Sequence, residues 1–167
     1  MGNIPKSITR DAGEYYVAFG LSMLGYAVAL TARGTPGVDL LVANPQNGKS
    51  VAIQVKTQRE PRKKGTTWWN WQVGSSFAIT NRHLYWAFVD LKAQSGLTPG
   101  NQNPDVYFVS PTDIVCEVQG NAYTPDPSTP YHLERWKSGD WFVIYPNPTL
   151  CCNNWYIISQ ALGPTHP

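Results

Sequence analysis

Apolar positions recur at helical spacing near the start of the chain and then switch to the two-residue period of strands. Ala12, Tyr16, Phe19 and Met23 form one apolar line, and Val17, Leu21 and Leu24 form a second beside it, which predicts a helix with a broad apolar face. Ser7 or Thr9 can cap its start, Asp11 and Glu14 fall in its early turns, and Gly25 follows its last apolar residue. Glu14 lies at the edge of the buried side, where a carboxylate needs a partner.

Residues 26–31 (YAVALT), 38–43 (VDLLVA) and 50–57 (SVAIQVKT) read as three strands, the last two joined by the turn NPQNGK. A helix followed by an antiparallel meander opens an α/β or α+β domain. Residues 58–67 read as a basic loop and 68–73 (WWNWQV) as a further strand with tryptophans at alternate positions 69 and 71. Residues 84–91 (LYWAFVDL) read as a buried strand and 106–109 as another. Ser110-Pro111-Thr112-Asp113 has the character of a helix start, with the helix running to about residue 119. A long polar loop over 120–131, a short amphipathic helix over 132–137, a strand over 141–145 and a turn of helix over 155–162 complete the pattern.

At 167 residues the chain suits one domain, with a core over about 7–119 and an aromatic-rich elaboration over about 120–167. No apolar run reaches the length of a membrane span, and the N-terminus lacks the charged-then-apolar pattern of a secretory signal. Cys116, Cys151 and Cys152 make no disulfide framework and read as reduced, which points to the cytoplasm. His83, His132 and His166 read as surface or packing residues, because Cys and His are too sparse for a zinc site. The net charge of +2 says little about partners. The local crowding of Lys49, Lys56, Arg59, Arg62, Lys63 and Lys64 says more, since such a patch suits phosphate, although a solvated basic loop has the same composition.

The polar residues inside the second and third strands are few. A hairpin register centred near residues 46 and 47 sets Asp39 beside Gln54, and alternation sends Gln54 and Lys56 to one face with Ile53 and Val55 on the other. The helix face carrying Glu14 is expected to close over that polar patch. Carboxylate, amide oxygen and backbone carbonyl are hard ligands suited to Mg²⁺, and a lysine beside them can orient a water or steady a charged transition state. Two plainer arrangements use the same residues: Glu14 can pair with Arg10, four residues earlier, or with Lys56.

The order helix-Glu14, strand-Asp39, strand-Gln54-x-Lys56 resembles the PD-(D/E)XK nuclease superfamily, over residues 10–57. It is similar to the restriction-endonuclease-like branch in which Gln replaces the acid of the last motif. The resemblance implies an αβββαβ core with a central mixed sheet flanked by helices, a site using Mg²⁺ (or Mn²⁺), and a DNA substrate. It gives Asp39 the role of metal-binding acid, Gln54 that of a neutral ligand, Lys56 that of the family lysine and Glu14 that of the helix glutamate. Two departures stand out. A neutral Gln54 lowers the negative charge of the site, and Pro36 lies three residues before Asp39 instead of adjoining it.

The stretch KTQREPRKKGTTWWNWQ bears on substrate, with Arg59, Arg62, Lys63 and Lys64 placed to neutralise DNA phosphates. Trp69 and Trp71 can stack on bases or build the core, and the core is the preferred reading. The reading that follows is a Mg²⁺-dependent endodeoxyribonuclease acting on duplex DNA, a homodimer or higher oligomer if it cuts both strands. The alternative is a catalytically weak or inactive member of the same fold that binds nucleic acid or a protein.

Overall fold

The computed structural model describes residues 4–33, 35–59, 69–72, 84–92, 103–109, 131–135, 141–146 and 152–165, with the strands at 69–72, 131–135 and 141–146 described by backbone. The first helix, α1 (Lys6–Met23), starts directly after Pro5, and no side chain caps it. The Pro5 carbonyl takes the N–H groups of Ile8 (3.0 Å) and Thr9 (3.3 Å), so Ser7 and Thr9 sit inside the first turn and cannot serve as the predicted caps. At the other end Gly25, at φ 87°, closes the helix. Its N–H donates to the Ser22 carbonyl (2.9 Å) and the Tyr26 N–H to the Leu21 carbonyl (3.2 Å), a Schellman closure whose two apolar partners, Leu21 and Tyr26, are both buried.

A central sheet of five strands receives this helix. In chain order these are β1 (Ala27–Leu30), β2 (Leu40–Ala43), β3 (Ser50–Gln58), β5 (Leu84–Asp90) and β6 (Asp105–Val109), and their spatial order is β1-β2-β3-β5-β6. The first three form the expected antiparallel meander, β5 lies parallel to β3, and β6 is antiparallel to β5. This is a mixed α+β architecture. Between β3 and β5 the chain places β4 (Trp69–Gln72), which belongs to a separate three-stranded sheet with β7 (Tyr131–Arg135) and β8 (Trp141–Pro146) in the order β4-β8-β7. The helix read over 111–119 and the loop over 120–130 lie outside the described residues.

The short helix expected over 132–137 is instead β7, paired antiparallel with β8 from Tyr131 opposite Pro146 to Arg135 opposite Phe142. The segment YHLER alternates apolar and polar positions, and a neighbouring strand supplies the partner that a five-residue amphipathic stretch cannot find by itself.

One face of the central sheet is apolar. Leu40, Val42, Val51, Ile53, Val55, Ala87, Val89, Val106 and Phe108 line it, and α1 covers it with Val17 and Leu21. The buried stripe of α1 is narrower than its sequence suggests: Phe19 and Met23 remain 63% and 71% exposed. The helix lies close to its neighbours through glycine. An ideal Cβ on Gly13 would stand 1.9 Å from the Thr57 hydroxyl, and one on Gly20 would stand 2.4 Å from the Trp155 ring. That approach leaves room under the helix only for the line through Gly13, Val17 and Leu21.

A short second helix, α2 (Tyr156–Leu162), closes the same core with Ile158 and Leu162. Its end is fastened to the β2–β3 turn, where the Asn44 amide donates to the carbonyls of Leu162 (3.1 Å) and Pro164 (3.0 Å) and the Asn47 amide to that of Leu162 (2.8 Å). Side chains from the turn thereby satisfy carbonyls that a helix end leaves open.

Candidate active site

The hairpin pairs Leu40 with Ile53, Leu41 with Ala52, Val42 with Val51 and Ala43 with Ser50, a register that leaves Asp39 just outside its last pair. The turn that fixes it is built by Asn44 and Asn47, whose side chains accept the N–H groups of Gln46 and Lys49, each at 2.9 Å. Gly48 supplies the φ of 72° that the turn requires.

At Asp39 the ladder changes character. The Asp39 N–H still donates to the Ile53 carbonyl (2.9 Å), and the Asp39 carbonyl accepts the Thr31 N–H from the β1 side (2.9 Å). The Val55 N–H, however, donates to the Asp39 side chain, to Oδ2 at 2.7 Å. The same oxygen accepts the Gln54 amide through a short contact. Gln54 is 6% exposed, and this bond satisfies a polar group that burial would otherwise penalise.

Lys56 follows on the same face as Gln54. Its ammonium lies 5.8 Å from the centroid of the Trp86 ring, within the range of a cation–π attraction. Among the described residues it takes part in no ion pair closer than 4.0 Å. Burial lowers its proton affinity below that of an ordinary lysine, and the nearby Asp39 charge works in the opposite sense.

Glu14 does not close over this patch. The helix packs Val17 and Leu21 against the face carrying Ile53 and Val55, whereas Gln54 and Lys56 share the opposite face with the buried Leu84, Trp86 and Phe88. Glu14 instead reaches the end of the sheet, where burial and then the Asp39 charge raise its pKa above the usual carboxylate value. Burial also raises the pKa of Asp39, opposed by the Val55 N–H, Lys56 and Arg10. The i,i+4 pair with Arg10 is present at 3.3 Å.

Of the sequence-derived residues, Gln54 contacts Asp39, Lys56 is next along the same face of β3, and Glu14 on α1 lies within the field of the Asp39 charge. Of the basic group, Arg59 is half-buried just after β3, while Arg62, Lys63 and Lys64 lie outside the described residues, as do the side chains of Trp69 and Trp71. Sequence reasoning missed Asp11 and Arg33 as members of this neighbourhood. A signal for them exists: Asp11 stands one helical turn before Glu14, and Arg33 sits in the loop that ends at Asp39.

Among the described residues no three His, Cys, Asp or Glu side chains converge as a metal centre. The oxygens on offer are the carboxylates of Asp39 and Glu14 and the amide of Gln54, a hard donor set of the kind Mg²⁺ takes. Two half-buried carboxylates with raised proton affinity suit a divalent cation. Gln54 as it stands turns its N–H toward Asp39, so its oxygen would join only after a half-turn of the amide. The donor chemistry therefore fits, with Gln54 as the adjustable member. The described helices include none long and apolar enough to cross a membrane. No protein-family model, no curated protein and no solved structure matches the chain.

Proposed function

We propose that this protein is a metal-dependent hydrolase of DNA phosphodiester bonds with a PD-(D/E)XK, restriction-endonuclease-like arrangement. The observation that carries the reading is the contact of Asp39 with Gln54 and the Val55 N–H, with Lys56 following on the same face. The site lies along β3 where the parallel strand β5 flanks it, Gln54 beside Trp86 and Lys56 beside Phe88.

Asp39 and Glu14 would hold Mg²⁺ or Mn²⁺, with the amide oxygen of Gln54 added by its half-turn. Such an ion, when bound, supplies Lewis acidity and lowers the pKa of a coordinated water. The chain's own part is positional and electrostatic. The Val55 N–H fixes the Asp39 carboxylate, so the acid is oriented before substrate arrives. Lys56 lies within the field of that acid, where its ammonium can orient the attacking water or oppose charge building on the phosphate. Cutting both strands of a duplex calls for two such sites and hence a homodimer or higher oligomer.

A second reading rests on one observation. The Gln54 amide already satisfies Asp39 without any metal, which suits a member of the fold that binds nucleic acid and does not cut it. Incubation of supercoiled and linear DNA with Mg²⁺ or Mn²⁺ separates the two. Nicking by the native protein that Asp39→Ala and Lys56→Ala both abolish is the expected result. Equal inertness of all three, with DNA binding retained, would favour the binding module.

A further inference from the structure

Beside the proposed site stands a group of charges that the hydrolytic reading does not use. The Asp11 carboxylate accepts two arginines, one on each oxygen. Oδ1 takes Arg10 through Nε (3.1 Å) and a terminal nitrogen (2.8 Å), and Oδ2 takes Arg33 at 2.8 Å. Arg10 comes from the second turn of α1 and Arg33 from the loop joining β1 to β2. The base of that loop is pinned at Asp39 itself, by the Thr31 N–H donating to the Asp39 carbonyl (2.9 Å) and the Thr31 hydroxyl to the Val38 carbonyl (2.6 Å).

Three features point to a ligand. First, the two side chains are 46% and 77% exposed, so part of each guanidinium stays open to solvent while Asp11, and for Arg10 also Glu14 (3.3 Å), holds one edge. Exposed ion pairs of this kind add little to stability, so stability gives little reason for two arginines to converge on one acid. Second, the pair lies within electrostatic reach of the site: Arg10 feels the charge of Asp39, and Glu14 feels that of Arg33. Third, a guanidinium fork matches the geometry of a phosphate, and one that is already oriented loses less freedom on binding.

We propose that Arg10 and Arg33 form a clamp for backbone phosphates of duplex DNA next to the bond that is cut, with Asp11 as the positioning residue that sets their spacing. This rests on the hydrolytic reading for the identity of the ligand. The clamp adds two further guanidinium groups, on the helix side of Asp39, to the basic residues that follow β3.

The test is the salt dependence of binding to a fluorescently labelled duplex, measured by anisotropy without added divalent metal so that no cleavage intervenes. The proteins compared are the native chain, Arg10→Gln, Arg33→Gln, Arg33→Lys and Lys92→Gln. Lys92 follows β5, is paired with Asp105 at 2.8 Å and serves as the control. Each phosphate that is no longer neutralised lowers the slope of log K against log salt by about 0.9. The expected result is a drop of about one for each Gln variant at Arg10 and Arg33, retention in Arg33→Lys, and no change for Lys92→Gln. Native-like slopes in both arginine variants would overturn the clamp while leaving DNA binding, and the hydrolytic reading, intact. Absence of binding by the native protein would overturn both.

Discussion

The carboxylate of Asp39 takes the place of a backbone acceptor for the Val55 N–H, at 2.7 Å, just beyond the last described pair of the β2–β3 ladder. One bond therefore both ends the pairing and orients the acid at the centre of the candidate site. Structure and proposed chemistry share this residue, and substitutions can separate the two roles.

Asp39→Asn keeps a side-chain oxygen for the Val55 N–H and removes only the charge. Its stability is expected to stay within about 1 kcal/mol of native, whereas Asp39→Ala leaves a buried N–H unpaired and costs about 1–3 kcal/mol. Both variants are expected to lose metal-dependent cleavage. Urea unfolding of the pair, run beside the nicking assay, checks this. Full activity in Asp39→Asn would remove the carboxylate from the chemistry.

Glu14 has its pKa raised in the fold, first by burial and then by Asp39. A raised folded pKa stabilises the native state fully below the unfolded value, and the contribution is lost as pH rises through the folded one. The charged Glu14 is thus a burden at neutral pH. Glu14→Gln is expected to stabilise the protein at pH 7, a gain that fades below the ordinary carboxylate range. Denaturation midpoints across pH give the answer; a gain of equal size at about pH 3 would mean that the charge is not its source.

If Asp39 and Glu14 hold a divalent ion, Mg²⁺ should raise the melting temperature of the native protein, by mass action on the folded state. Asp39→Ala should abolish the shift and Glu14→Gln should reduce it. Calorimetry with Mg²⁺ against an equal ionic strength of NaCl distinguishes binding from screening. The same rise in all three proteins would place the ion elsewhere.

Burial lowers the pKa of Lys56 and the Asp39 charge works against that shift. Its ammonium is expected to titrate below an ordinary lysine, and lower still in Asp39→Asn. Carbon-13 labelling of the lysine Cε gives both values directly. A Lys56 titration unmoved by Asp39→Asn would show that the two charges do not communicate.

Gly13 permits the helix to approach Thr57, whose buried hydroxyl finds no hydrogen-bond partner among the described residues. Helix propensity alone predicts that Gly13→Ala stabilises by about 1 kcal/mol. The 1.9 Å approach reverses the sign, and a cost of about 1–3 kcal/mol or more is expected. Thr57→Ala removes the two nearest atoms, so the double variant should be more stable than the sum of the singles. Additive losses would mean that the helix and β3 do not meet at this point.

Much of the central sheet was legible in the chain, because period-two alternation and turn chemistry are local properties. The meander and the sharing of one face by Gln54 and Lys56 follow from residues 26–57 alone. The glycine closing α1 was equally readable, since only a left-handed φ fits there.

Tertiary structure decided the rest. Which of the apolar lines on α1 is buried depended on Gly13 and Gly20 meeting Thr57 and Trp155, contacts between residues far apart in sequence. The helix took the face carrying Ile53 and Val55, so Glu14 reaches Asp39 only through its charge and does not cover Gln54 and Lys56. Residues 131–135 became a strand because β8 was there to pair with. The joining of Arg10 and Arg33 through Asp11 likewise needed the β1–β2 loop brought against the helix. Spacing along the chain fixes which face a side chain takes; only packing fixes what that face meets, because burial is a property of two surfaces at once.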